Sequence, residues 1–219
     1  SEHTVEVLKN FATINQNLVI KEGNTLTTMS AMKNIVAKAE VSESFEREVA
    51  IYDLNEFLAS LSLFKSPVLE FDESFVTIKE ENTTTSLKYF YSDPSVVTTP
   101  SKTIKMPSKE VTFSLKGEDL TKLKRAAGVI GAPDLVLERK DTGSFLTVKD
   151  KKNDTANTFS LDVTTTSEGN FNCFFTVENL KVMDGNYDVE ISSKNISHLS
   201  SSNKDVEYWV ALEPESTYE

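Results

Sequence analysis

Cysteine, histidine, glycine and long apolar runs are all scarce in this chain. Its 219 residues include one cysteine and two histidines. A single cysteine closes no disulfide within the chain, and Cys173 lies in an alternating apolar segment, so we expect a core residue in a reducing, cytoplasmic setting. No apolar run reaches the length of a membrane helix, so no membrane span is predicted.

Catalytic and metal-binding motifs are also missing. We find no glycine-rich phosphate loop, no paired-cysteine metal spacing and no nucleophile elbow. His3 and His198 are isolated among polar residues, which predicts two exposed surface histidines. No two carboxylates stand out as an acid–base pair, so a hydrolase built on carboxylates is the least favoured alternative. We therefore predict no enzymatic activity, no cofactor and no metal.

Acidic residues outnumber basic ones, 34 against 23, which gives a formal net charge of −11. Such a balance opposes ordinary nucleic-acid binding, because phosphate contacts need cationic side chains. Net charge does not say where the bases lie, however. A protein that surrounds DNA without binding its phosphates tightly needs only one weakly basic face.

A strand that turns directly into a helix occurs twice. In Glu48–Phe64, EVAIYDLNEFLASLSLF, the apolar period changes from two to about 3.6 at Asp53, which is placed as an N-cap. In the second half, FNCFFTV at Phe171–Val177 runs into a predicted short helix at 178–183. Three predicted strands follow each unit: Pro67–Phe71, Phe75–Lys79 and Thr84–Tyr91, then Tyr187–Ser192, Ile196–Leu199 and Val206–Leu212.

Each half also has a longer amphipathic helix, predicted at His3–Ile14 and at Glu118–Ile130. The remaining apolar segments predict strands at Leu18–Lys21, Thr25–Met29, Asn34–Val41, Val111–Leu115, Leu135–Arg139, Phe145–Lys149 and Thr158–Val163. This pattern predicts an α+β chain of two similar domains, 1–91 and 110–219, each with two helices packed on antiparallel sheets.

Residues 92–109, SDPSVVTTPSKTIKMPSK, differ from both halves. Three prolines and many hydroxyl side chains predict an extended linker between the domains. Val96, Val97, Ile104 and Met106 are more apolar than a free spacer requires. They either pin the linker to its own domain or bind a partner, and the sequence leaves both alternatives open.

Five blocks, in order along the chain, resemble the sliding clamp of T-even-type bacteriophages, the processivity factor of their DNA polymerase. The blocks are LKNFATIN at 8–15, VAIYDLNEFLASLSL at 49–63, DPSVVTTP at 93–100, EDLTKLKR at 118–125 and VALEPEST at 210–217. The resemblance implies a DNA-clamp fold that assembles as a ring of three subunits around duplex DNA, without catalysis. A two-domain protein-interaction scaffold without a DNA role is the alternative.

The resemblance also implies partners and a location. The ring would bind double-stranded DNA without regard to sequence, the C-terminal peptide of the DNA polymerase, the clamp-loader complex and late-transcription factors, in the cytoplasm of an infected bacterial cell. The helix surfaces that line such a ring are expected to be basic. Here only the helix at 118–130 has a clearly cationic polar face. The expected DNA-facing residues are Lys9, Lys122, Lys124, Arg125 and Lys181.

Two further surfaces follow from the resemblance. At the subunit interface, Thr84–Phe90 is expected to pair with Thr158–Val163 of the neighbour, through Thr85, Leu87, Tyr89, Thr158, Phe159 and Leu161. The partner-peptide pocket is expected between the linker and the second domain, and its lining would be Tyr91, Val96, Val97, Ile104, Met106, Val210, Leu212 and Pro214.

Overall fold

A computed structural model describes residues 1–100, 102–167 and 169–219. The chain divides into two compact units, Ser1–Ser101 (unit 1) and Lys102–Glu219 (unit 2). The division falls inside the predicted linker, 92–109. None of the helices in the described ranges has the length and hydropathy needed to cross a membrane.

Unit 1 contains two α-helices and seven strands among its described residues. In chain order they are α1 (Glu2–Ile14), β1 (Leu18–Ile20), β2 (Gly23–Met29), β3 (Ile35–Phe45), β4 (Val49–Ile51), α2 (Leu54–Ser62), β5 (Pro67–Phe71), β6 (Phe75–Glu80) and β7 (Ser86–Phe90). The pairs β1–β4 and β2–β3 are antiparallel, and β5, β6 and β7 form a three-stranded antiparallel sheet in that order.

The two helices of unit 1 bury the apolar stripes that their sequences predict. Phe11 of α1 and Leu54 of α2 are fully buried, and the helices pack against each other. The Asp53 carboxylate accepts hydrogen bonds from the backbone N–H groups of Asn55 and Glu56, both at 3.0 Å. The predicted N-cap at Asp53 is confirmed, and it satisfies two donors that the first helical turn leaves without partners.

Unit 2 contains one α-helix and nine strands among its described residues. They are β8 (Val111–Leu115), α3 (Gly117–Ile130), β9 (Asp134–Lys140), β10 (Gly143–Lys149), β11 (Phe159–Val163), β12 (Phe171–Thr176), β13 (Tyr187–Ser192), β14 (Ile196–Ser201), β15 (Val206–Ala211) and β16 (Thr217–Tyr218). Antiparallel pairing gives the strand orders β8–β13–β14–β15 and β11–β10–β9–β12–β16.

The core of unit 2 lies under α3 and between its strands. Leu120 and Leu123 of α3 are almost fully buried. The helix ends at Gly131, whose φ of 67° is in the left-handed region that glycine adopts without steric cost. Cys173 on β12 is completely buried, and burial raises the pKa of its thiol to about 12. The expectation that this cysteine is a core residue is confirmed.

The prediction of a fourth helix at 178–183 is wrong. The structure has a single 3₁₀ turn at Val177–Asn179, after which the backbone is irregular. The Met183 N–H donates to the Tyr208 hydroxyl at 3.2 Å, and the Tyr187 hydroxyl donates to the Met183 carbonyl oxygen at 2.6 Å. These buried side chains satisfy backbone groups that a helix would have used. The predicted class, helices packed on antiparallel sheets in two domains, is confirmed.

Candidate DNA-facing and partner-binding surfaces

The exposed stripe of α3 carries the predicted bases Lys122 and Arg125. They lie one helical turn apart, so they are neighbours on one face of the helix. Glu118, one turn before Lys122, is exposed on the same side. On α1 the exposed stripe holds Lys9 but also Glu2. Both surfaces are therefore weakly charged, which suits brief contacts with phosphate rather than tight binding.

Lys124 has a different environment from the other predicted bases. Its ammonium group is half-buried and donates a hydrogen bond to the Val182 carbonyl oxygen at 3.2 Å. Burial lowers the pKa of this lysine, although the nearby Asp184 carboxylate partly opposes the shift. The side chain thus ties α3 to the irregular segment that follows the 3₁₀ turn. Lys181, in that segment, is half-buried.

The strands predicted at the subunit interface, β7 and β11, both lie at sheet edges. Among the described residues of unit 1, β7 pairs only with β6, and among those of unit 2, β11 pairs only with β10. Phe159 and Leu161 on β11 are half-buried. Thr85 and Thr158 are exposed and each lies just before its strand. Open edges of this kind present unpaired backbone groups to another chain.

The register of β7 decides which of its backbone groups face outward. The Tyr91 N–H donates to the Ser74 carbonyl oxygen at 3.0 Å. Because backbone groups alternate in direction along an antiparallel strand, the N–H and C=O groups of Leu87 and Tyr89 also point toward β6. The N–H of Lys88 therefore faces away from the sheet. The Tyr89 side chain is held within unit 1: its hydroxyl donates to the Asp53 carbonyl oxygen at 3.1 Å, and its ring packs edge-on against Phe57.

The first part of the linker is pinned to unit 1. Val97 is only 8% exposed and packs with Val19 and Ala50. The Thr98 N–H donates to Asn17 Oδ1 at 3.1 Å. The sequence leaves open whether the apolar linker residues pin the linker to its own domain or bind a partner. Val97 does the first, because it packs against unit 1. Val96 is 57% exposed, and Tyr91 is half-buried.

The remaining residues of the predicted pocket belong to unit 2 and differ in accessibility. Val210 is fully buried and Leu212 is 6% exposed, so both are core residues. Ile104 and Met106 are half-buried, and Pro214 is exposed. Of the predicted pocket residues in unit 2, those that a partner can reach are therefore Ile104, Met106 and Pro214.

The prediction that His198 is an exposed surface residue is wrong. The ring stacks on Trp209 with centroids 4.9 Å apart. Its two nitrogens lie 3.4 Å from a Glu190 carboxylate oxygen and 2.8 Å from a Glu207 oxygen. This cluster depends on the pairing of three strands, so the sequence gives no local signal for it. His3 is half-buried as well. Within the described ranges, no group of histidine, cysteine and carboxylate side chains has the arrangement of a metal site.

Family models match both units. A model described as DNA polymerase processivity factor matches residues 1–99, and one described as the C-terminal part of the gp45 sliding clamp matches residues 112–214. The similar solved structures include a proliferating cell nuclear antigen (PCNA) from A. fulgidus bound to the C-terminal region of FEN-1. The TM-score is 0.70 at 15% identity, covering 97% of this chain and 96% of that one. PCNA from Entamoeba histolytica gives 0.67 at 13% identity, covering 96% and 95%.

Relatives named sliding clamp are similar along the whole chain. The protein of Vibrio phage KVP40 is 33% identical, and the match covers 97% of this chain and 98% of the relative. The protein of Enterobacteria phage T4 is 30% identical, with 100% and 98% covered. Both similarities include the two units and the segment between them. The chain therefore belongs to the sliding-clamp family of DNA polymerase processivity factors.

Proposed function

We propose that three copies of this chain close into a ring around duplex DNA and hold the replicative polymerase on its template. The observation that carries this proposal is the similarity to phage sliding clamps over 97% of the chain, through both units. The net charge of −11 and the sparse bases of α3 are compatible with it. A ring linked to DNA by its topology does not need the dense phosphate contacts on which affinity otherwise depends.

The proposed partners are those that a ring of this kind requires. A clamp-loader complex opens and places it, the polymerase attaches through a C-terminal peptide, and late-transcription factors use the same mobile platform. Sliding clamps are processivity factors rather than enzymes, so the chain contributes binding and not a catalytic step. The similar proteins come from bacteriophages, which supports action in the cytoplasm of an infected bacterial cell.

Retention on closed and open DNA tests the proposed function. We expect the clamp, once loaded on nicked circular DNA, to stay bound during gel filtration at high salt and to be lost when a restriction enzyme linearises the circle. The physical reason is that a ring slides off a free end but not off a circle. Equal loss from circular and linear DNA, with a mass near 24.4 kDa in solution, would instead support the protein-interaction scaffold.

The DNA-facing assignment of α3 has its own test. Reversing both charges, Lys122→Glu with Arg125→Glu, is expected to lower loading on primed circular DNA about tenfold or more, because favourable phosphate contacts become repulsive. The measurement is processive synthesis at fixed clamp concentration, together with the mass of the ring. The matched control, Lys152→Glu with Lys194→Glu, makes the same charge change at two other exposed lysines of unit 2. Unchanged synthesis by the α3 variant would refute the assignment.

A further inference from the structure

The apolar sides of the edge strands β7 and β11 are incompletely covered. Leu87 and Tyr89 on β7 are half-buried, whereas the residues opposite them on β6, Ile78 and Val76, are at most 1% exposed. On β11, Leu161 and the apolar residues on either side of it are half-buried, although the residues opposite them on β10 are buried. Each edge therefore has an apolar side that a further strand would cover.

The exposed sides of the same two strands carry opposite charges. Lys88 on β7 is exposed, and its ammonium group lies 4.3 Å from the centroid of the Phe75 ring. Asp162 is exposed on β11. Within the described ranges, neither Lys88 nor Asp162 has an ion-pair partner. The two edges are therefore complementary in charge.

The backbone groups on both edges belong to the residues with exposed side chains. On β7, Lys88 directs its N–H and C=O away from β6. On β11, the direction follows from the β9–β10 hairpin, whose tight turn Lys140–Gly143 bonds its two end residues to each other. Alternation along β10 then directs the backbone groups of Leu146 to Leu161, so those of Asp162 face away from β10.

These directions permit β7 of one subunit and β11 of another to form one continuous antiparallel sheet. Residues directly opposite each other in such a sheet have side chains on the same face, and alternate pairs exchange hydrogen bonds. Lys88 must therefore lie opposite a β11 residue that also faces outward, either Ser160 or Asp162. Asp162 in that position puts the unlike charges directly opposite each other, whereas Ser160 would move the carboxylate to a diagonal position.

We propose that the subunits of the ring join in the register that places Lys88 of one copy opposite Asp162 of the next. Phe90 is 67% exposed in the single chain, and in this register it lies opposite a small side chain that leaves room for its ring. This inference rests on the proposed ring and specifies the contacts that close it. The other pairs across the interface are Leu87 with Val163, Tyr89 with Leu161 and Phe90 with Ser160.

A groove beside β11 has room for the apolar side of the neighbour's strand. It lies within unit 2 and measures about 670 Å³. Its lining includes Leu161 and Val163 of β11 and Phe113 and Leu115 of β8. In the proposed register the neighbour's Leu87 lies opposite Val163 on the same face, so its side chain would cover the edge of this groove.

Charge reversal and charge exchange test the proposed pair. Lys88→Glu and Asp162→Lys should each raise the subunit dissociation constant at least about tenfold, because like charges then face each other at every interface. The double variant, Lys88→Glu with Asp162→Lys, should return it to within about threefold of the unchanged protein. The measurement is mass by light scattering across a dilution series. The control, Asp205→Lys, changes an exposed acid beside β15 and should have no effect.

Disulfide formation between engineered cysteines measures the register directly. Phe90→Cys with Ser160→Cys should join subunits into covalent trimers, because directly opposite Cα atoms lie within the range of about 4.4–6.8 Å that a disulfide spans. Phe90→Cys with Thr158→Cys should cross-link at least about tenfold more slowly, since the proposed register puts these residues in diagonal positions. Cys173 does not compete, because it is buried and burial raises the pKa of its thiol to about 12.

The outcomes distinguish the register from the ring. Trimers that cross-link faster through Thr158 than through Ser160, or through neither, would overturn the register and leave the ring in place. A double charge variant as weak as the single ones would do the same. An unchanged protein with a mass near 24.4 kDa at micromolar concentration would refute the ring, and the register with it. If a charge variant does not fold, the two cysteine pairs decide.

Discussion

Replacing Lys88 with proline is expected to break the proposed ring into single subunits near 24.4 kDa. The N–H of Lys88 faces outward from the edge strand β7, where pairing with β11 of a neighbouring subunit would use it. Proline has no backbone N–H and a restricted φ. A β7 strand with proline at position 88 therefore cannot form the full set of hydrogen bonds to a strand on its outer side. Because a closed ring repeats one interface, each interface loses the same bond. Mass measured by light scattering across a dilution series checks the result.

The position of the proline matters, and the same sheet provides a control. Proline at Leu87 is uninformative, because its N–H is directed to β6 and its loss would damage the sheet of unit 1 itself. Leu69→Pro places proline on β5, at the opposite end of the strand order; the Asp72 N–H bonds to the Phe75 carbonyl oxygen of β6, so by alternation the Leu69 N–H faces away from β6. It should leave the trimer intact. A Lys88→Pro protein that remains trimeric at nanomolar concentration would place the subunit interface on another strand.

The helices and strands that the sequence predicts correctly are those with strong local signals. The change of apolar period at Asp53, and its carboxylate at the N-cap, are sufficient to place α2. Strand ends are less accurate: β3 continues to Phe45, beyond the predicted end at Val41. Three polar residues, Ser42, Glu43 and Ser44, follow Val41, which predicts the end of the strand there, but none of them is a glycine or proline and the sheet extends the strand to Phe45.

The failure at 178–183 has a tertiary cause. Leu180, Val182 and Met183 are buried, so their apolar spacing is real, but it does not arise from a helix. The hydroxyls of Tyr187, four residues after Met183, and of Tyr208, 25 residues after it, satisfy the backbone of Met183 instead. These side-chain hydrogen bonds override a weak helical propensity, and a single sequence does not reveal them.

The individual site residues were harder to place than the fold, for the same reason. Lys124 fits the cationic face of α3 by spacing, yet its contact with Val182 depends on a segment that the helix prediction got wrong. From the sequence, Val97 is placed in the linker with two possible roles, and only its packing with Val19 and Ala50 shows that it is buried in unit 1.

Ile104→Asp is expected to weaken strongly the binding of a peptide from the C-terminus of the replicative polymerase. We propose that this peptide buries an apolar anchor against Ile104, Met106 and Pro214, the accessible pocket residues of unit 2. Losing such an anchor costs roughly 2–4 kcal/mol. The affinity should therefore fall by about thirtyfold to a thousandfold. Ile104 is suitable because it is half-buried, whereas a charge at Leu212, in the core, would unfold unit 2.

Thr103→Asp is the matched control, because Thr103 is exposed beside Ile104 and receives the same charge. Peptide affinity and melting temperature are measured on both variants and on the unchanged protein. We expect Ile104→Asp to lose the peptide while its melting temperature and trimeric mass stay close to normal, and Thr103→Asp to keep all three. If Ile104→Asp instead lowers the melting temperature and binds the peptide normally, the side chain only packs against unit 2, and the polymerase peptide binds elsewhere on the clamp.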